Sequence, residues 1–255
     1  ITTARERQRL WLSRAIVLCA TLAIVLLIPF IVGALITQAP MASVGLVMLV
    51  VIAHLLFWML LTLGFTTSKI CAKHSSATIA SILLTIWLIV TLLIPVSSDF
   101  VIDEMVESPN GGEIVLTQRE AVNNAWDLPF NATWNEFLST HPQWEDKTET
   151  SDSFEWKWYY AFQQVGDQKA EELSKAYRAA TLAKNTLAGR FALMSPPMLT
   201  QRLMSSIAKT DTIAAIRYEL EVREYHKALR QFYYPLMFNE TEFALETLLG
   251  LPEFS

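Results

Sequence analysis

The chain has 255 residues, 52% of them hydrophobic, and a formal net charge of −5. That charge joins two unlike parts: six Lys or Arg against one acid before Asp99, a net of +5, then 14 basic against 24 acidic residues, a net of −10. An acidic second part excludes nucleic-acid binding, which needs clustered Lys and Arg. Cys19 and Cys71 both fall in the first part, which excludes a disulfide-stapled second part.

Residues 1–14 open the chain with Ile1 and no signal-peptide pattern, so Ile1 is expected to be an interior residue of a longer protein. Within them, TARERQRLWLSR predicts a short basic amphipathic helix at the cytoplasmic surface, with Leu10, Trp11 and Leu12 entering the interface. Its arginines, Arg5, Arg7, Arg9 and Arg14, serve either as a positive-inside anchor or as a docking face for a cytoplasmic partner.

From Ala15 to Ser68 there is no Asp, Glu, Lys or Arg in 54 residues. One helix of that length would reach about 80 Å, far beyond a hydrocarbon core of roughly 30 Å, so the stretch must fold back. Thr37-Gln38-Ala39-Pro40 is the break, because Pro40 lacks a backbone donor and Gln38 favours water. Two spans are predicted, 15–36 and 41–66. The uncharged window His74–Ser98 supplies a third, 76–96, with Pro95-Val96-Ser97-Ser98 as its exit. Lys69 and Lys73 lie between spans two and three, and the Gln38 loop has no basic residue. The N-terminus and the Lys69 loop are therefore expected in the cytoplasm, with residues 99–255 on the other side.

Span two carries His54 at mid-depth. An ionisable group there is a functional candidate, as a proton relay or cargo contact. The plainer alternative is a neutral imidazole hydrogen-bonded to a helix neighbour, since the spans hold no carboxylate to share a proton.

The second part reads as all-α. Asp103, Glu104 and Glu107 sit on one helical face, a solvated face sooner than a metal cluster. From Trp126 to Phe162 aromatics are dense; Trp126, Trp134, Trp144, Trp156 and Trp158 form a candidate outer surface for a sugar, lipid or peptide. The same residues equally suit a small packed core or a membrane interface. Apolar positions from Phe154 to Met194 recur at intervals of three and four, predicting a helix over 153–194 that Gly166-Asp167 can bend. Ser195-Pro196-Pro197 stops it, and helices over 198–208 and 212–234 follow, the last ended by Pro235. Ile213, Leu220 and Phe232 are expected to bury against the long helix as a hairpin seam. No GxSxG, HExxH, CxxC or Walker pattern occurs, and His141 and His226 stand alone, so the chain offers no catalytic, cofactor or metal site.

The stretch GFTTSKICAKHSSATIASILLTIWLIVTLLIP resembles bacterial ABC exporter permeases of the second type. MSPPMLTQRLMSSIAKTDTIAAIRYELEVREYHKALRQFYYPLMF is similar to the outer domain of a subgroup with a large, uncharacterised extracytoplasmic helical domain. There a Ser-Pro breaker (Ser195-Pro196), a Thr-Asp helix start (Thr210-Asp211) and His226 ahead of Phe232 recur in that order, and LPEFS resembles the approach to a last span. The likeness spans nearly the whole chain, as that family's third to fifth spans plus its outer domain, without the first two spans or the last. It implies a multi-pass protein of the bacterial cytoplasmic (inner) membrane: the permease subunit of an ATP-driven exporter. ATP and Mg would sit in separate ATP-binding subunits, which Arg5–Arg14 would contact. A second permease subunit, alike or different, membrane lipid and a periplasmic partner are the further associations implied. The rival from another class is a membrane-anchored sensor whose outer domain detects a ligand and signals through the Arg5–Arg14 helix.

Overall fold

The computed structural model describes residues 4–67, 74–147, 155–242 and 244–254. Lys69, Cys71 and Lys73, between spans two and three, lie outside the described residues, as do Phe154 and the side chains of Arg5 and Arg7. The described residues are helical, with no strand among them. Three helices are long and apolar enough to cross a membrane: Arg9–Ile36, Met41–Thr67 and Ser76–Met105. The chain divides into two compact units, Ile1–Met105 with Lys184–Ala214, and Val106–Ala183 with Ala215–Ser255. The division does not follow the expected boundary at residue 99, because 184–214 returns to the apolar helices.

In the first unit, α1 (Ala4–Ile36) is one uninterrupted helix, so the basic segment expected as a separate helix is continuous with the helix of span one. Pro29 sits inside it without ending it. The turn after Ile36 falls where Pro40 and Gln38 predicted it, with Gln38 in the left-handed region at φ 53°. Next, α2 (Met41–Thr67) packs against α1. The third span is composite: α3 (Ser76–Leu88), a π turn (Ile89–Leu93) and α4 (Ile94–Met105). Ser75 caps it, its side chain accepting from the Thr78 N–H. Helix continues through Pro95 and Ser98, past the predicted exit. Much of the apolar surface of these helices stays exposed, as with Val25 at 61% and Leu93 at 58%. Faces of that size require lipid or other protein around them.

The second unit begins with α5 (Gly111–Asp127), capped by the Asn110 side chain on the Gly112 N–H, and α6 (Phe130–Thr140). A 3₁₀ turn, Pro142–Lys147, follows. The long helix α7 (Trp156–Ala192) is unbroken at Gly166. A Cβ there would stand 2.6 Å from Val122 Cγ2 and 3.1 Å from the Gln118 carbonyl oxygen, so glycine serves close approach of α5 and not a bend. After α8 (Pro196–Ile207), which belongs to the first unit, α9 (Thr212–Phe238) runs past Pro235, because Tyr234 and Phe238 on either side of it are buried. A short α10 (Leu245–Leu248) closes the chain.

Helices α7 and α9 run antiparallel, as a hairpin should: Gln164 meets Tyr234, Asp167 meets Arg230, and Arg178 meets Glu219. The expected apolar seam is not there. Leu220 is 46% exposed and faces a cleft of about 1100 Å³ that the two helices enclose with α5 and the α6 end. Charged rungs hold this stretch of the pair apart, and the apolar core lies where α7 begins and α9 ends. There Trp134, Phe137, Trp158, Ala161, Val165, Tyr234 and Phe238 are buried together.

Candidate functional site in the apolar unit

The site grows from one missing donor. Proline has no N–H. In the π turn the Ile94 N–H reaches Ile89 O, five residues back, and the same register would give Val90 O the N–H of residue 95. Residue 95 is proline, so that carbonyl needs a donor from elsewhere. Ser195 supplies it: its hydroxyl donates to Val90 O at 2.7 Å. Ser195 is wholly buried. Its Oγ also accepts from the Met198 N–H at 3.3 Å, capping α8, whose first turn tolerates Pro196 and Pro197 because N-terminal N–H groups have no helical partner. The backbone N–H of Ser195 bonds Ala192 O, and its carbonyl accepts from Leu199.

A second polar contact fixes α8 to α2. The Trp58 indole N–H donates to His54 Nε2 at 3.0 Å, and His54 Nδ1 lies 3.0 Å from Thr200 Oγ1. An indole nitrogen only donates, so Nε2 must carry a lone pair. A neutral imidazole then bears its proton on Nδ1, which donates toward Thr200. An imidazolium would set two N–H groups against each other at Nε2. Trp58, Thr200 and the Pro196 backbone, the hydrogen-bonding partners of His54, are neutral groups that hold the ring, and its arrangement is that of a latch. Space of about 380 Å³ opens beside it, lined by His54, Pro197, Thr200, Gln201, Met204 and Ser205.

These contacts place the helix–turn–helix of residues 184–207 alongside spans two and three. Lys184 pairs with Asp103 at 2.6 Å near the end of α4, and Ser195 meets Val90 some three turns back along the same span. Irregular backbone at such a position is acceptable only where protein groups satisfy it, and Ser195 does so. Sequence reading placed Ser195 only as a helix breaker, and missed Thr200 and Trp58. The one signal available was a proline inside the third apolar window, which demands an outside donor.

The other predicted residues divide. Arg9 and Arg14 are exposed on α1. Among the tryptophans, Trp134 and Trp158 are 3% and 2% exposed, and Trp144 packs on the same core, so these three are not an outer surface. Their helical spacing with Phe137, Ala161 and Val165 turns them inward. Trp126 and Trp156 are exposed, Trp126 meeting Phe162 edge-on at 4.5 Å. His141 lies flat on Phe137, centroids 4.4 Å apart. Burial holds it below its ordinary pKa of 6.5, the Phe137 carbonyl opposes that, and the Arg230 charge adds to it. Burial pushes the Tyr234 hydroxyl up to about 12, so it stays protonated.

Residues 112–255 match the family described as Domain of unknown function (DUF3526). No curated protein and no solved structure matches the chain.

Proposed function

The chain belongs to the Domain of unknown function (DUF3526) family, a kinship that brings no activity with it, and we propose that it is the membrane subunit of an ATP-driven exporter. The observation that carries the reading is the continuity of α1. At 33 residues it is about 50 Å long, so some 20 Å projects beyond a hydrocarbon core of roughly 30 Å. The projecting end holds Arg5, Arg7 and Arg9 and points to a cytoplasmic partner. A rigid rod of this kind transmits a push at its basic end into the membrane without a joint to absorb it.

In this reading ATP and Mg bind to separate ATP-binding subunits, which do the hydrolysis. A second membrane subunit completes the path through the bacterial cytoplasmic membrane. The chain's own contribution is mechanical: spans two and three move relative to residues 184–207 by exchanging the Ser195–Val90 and His54–Thr200 contacts, a switch between two packings. Placing Arg9 and Arg14 in the cytoplasm follows the positive-inside rule. Cysteines put at Gln38 and Glu172 of a cysteine-free chain should react with an impermeant thiol reagent outside intact cells.

A membrane-anchored sensor is the second reading, and the open clefts of the second unit favour it. Purification of the tagged chain from its native membrane, with mass spectrometry of what accompanies it, separates the two. An ATP-binding subunit at fixed stoichiometry supports transport. A kinase or other regulator in its place refutes transport and supports sensing.

A further inference from the structure

The cleft of about 1100 Å³ in the second unit follows α7 and α9 from the Arg178–Glu219 rung to the corner at Thr140 and His141. From Arg178 back to Gln164, α7 gives it a wall about 20 Å long, enough for an oligomer and not only a single ring. Four acids and four bases line it, in a part of the chain whose acids exceed its bases by ten. Each of those acids already has a cation. Asp167 accepts from Arg230 and Gln118, and one oxygen of Glu219 accepts from both Arg178 and Arg223. Lys175 takes Glu171, and Lys227 stands 3.8 Å from Glu224. A charged ligand meets no net charge here, and to reach one group it would strip that group of its partner.

What the rungs leave over is neutral and polar. Five of the six glutamines in the second unit line the cleft. Gln143 and Gln231 are exposed and make no hydrogen bond among the described residues. A carboxamide both donates and accepts, as a hydroxyl does. His141 adds an acceptor. Thr140 donates its one hydroxyl proton to the Phe137 carbonyl at 3.0 Å and accepts from Gln168 Nε2 at 2.6 Å. His141 Nδ1, 2.8 Å from the same oxygen, is therefore the protonated nitrogen, and Nε2 of the neutral ring keeps its lone pair. The half-buried Trp144 lines the cleft beside it. Leu220 is the one large apolar residue exposed among the described lining residues, so an amphiphile or an apolar peptide side chain has little wall to cover.

We propose that this cleft binds a neutral oligosaccharide, its hydroxyls exchanging hydrogen bonds with Gln143, Gln164, Gln231 and His141 Nε2, and the C–H face of one sugar resting against Trp144. Hydroxyls suit carboxamides because each side can give and take. The balanced, occupied ion pairs favour no ionic ligand, while their remaining N–H groups still donate to neutral oxygen. The site stands whether the chain transports or senses, and its test involves no ATP-binding subunit.

The test uses the full chain in phosphatidylcholine nanodiscs, titrated by calorimetry against empty nanodiscs with three neutral probes: maltotriose, cellotriose and chitotriose. Trigalacturonate is the anionic control, and an acetylated, amidated Ser-Ala-Ser-Ala peptide the peptidic one. The expected result is saturable binding of at least one neutral trisaccharide, one per chain, changed less than about twofold when salt is raised about tenfold. The variant carrying both Gln143→Ala and Gln231→Ala, two exposed side chains, should weaken that binding about fivefold or more with its circular dichroism unaltered. Saturable binding of none of the three sugars overturns the proposal. So does tighter binding of trigalacturonate, binding of the peptide in their place, or a folded double variant that binds the sugar as the wild type does.

Discussion

Replacing Ser195 by alanine isolates the contact on which the arrangement of the apolar unit turns. The substitution deletes a 2.7 Å hydrogen bond to Val90 O and a helix cap on Met198, at a position with no solvent exposure. A buried acceptor left without a donor costs about 1–3 kcal/mol, and loss of a serine cap about 1. Polar contacts between helices in a bilayer average nearer 0.6 kcal/mol, so a total of about 2–3 kcal/mol is expected. Pro95→Ala supplies the control. It restores an N–H in the register that serves Val90 O, so in that background Ser195→Ala should cost only the cap, about 1 kcal/mol. The coupling between the two substitutions is then about 1–2 kcal/mol. Reversible unfolding of the four proteins in mixed micelles, followed by tryptophan fluorescence, measures it. A cost below about 0.5 kcal/mol for Ser195→Ala, or equal costs in both backgrounds, would refute the reasoning.

Three further outcomes are expected. His54→Leu should destabilise the apolar unit by about 1–2 kcal/mol, stranding the Trp58 N–H and the Thr200 hydroxyl, whereas His54→Gln should retain folding and any partner-stimulated ATP hydrolysis; loss of stimulation in an assembled Gln variant would show that His54 does chemistry. Gly166→Ala should cost about 1–3 kcal/mol through its 2.6 Å approach to Val122, and a neutral or stabilising result would mean that α5 does not sit so close. Because burial depresses His141, the unfolded state takes up a proton first as pH falls below 6.5. The stability contributed by neutral His141 is therefore present above pH 6.5 and drops toward pH 5. Denaturant titrations at both pH values should show wild type losing more than His141→Gln, and an equal or smaller loss contradicts the assignment.

The membrane helices were legible because a bilayer imposes a length and a composition that few other structures share, and the Gln38–Pro40 turn because both residues resist a helix interior. Pro95 and Pro235 misled for a common reason. Each was read as a stop, yet a helix passes a proline when the freed carbonyl finds another donor or when flanking residues are held, as Ser195 does for the first and Tyr234 and Phe238 for the second. Leu220 kept the spacing of a buried stripe, but periodicity names a face and not what opposes it. The charged rungs Asp167–Arg230 and Arg178–Glu219 join residues 63 and 41 positions apart. The His54–Thr200 contact spans 146 positions, beyond any local pattern. Trp134 and Trp158 were visible as aromatic density, and only the fold distinguishes a core from a surface.

The transport reading turns on whether α1 works as a stiff rod between a cytoplasmic ATP-binding subunit and the membrane. Three glycines inserted after Ser13 would give that rod a joint while leaving both the arginine cluster and the apolar span intact. The measurement is ATP hydrolysis by the purified complex in nanodiscs, with copurification of the ATP-binding subunit scored alongside. The account predicts an unchanged complex whose hydrolysis falls to the rate of the ATP-binding subunit alone. Hydrolysis at the wild-type rate through the jointed helix, or a chain that brings down no ATP-binding subunit at all, would contradict it.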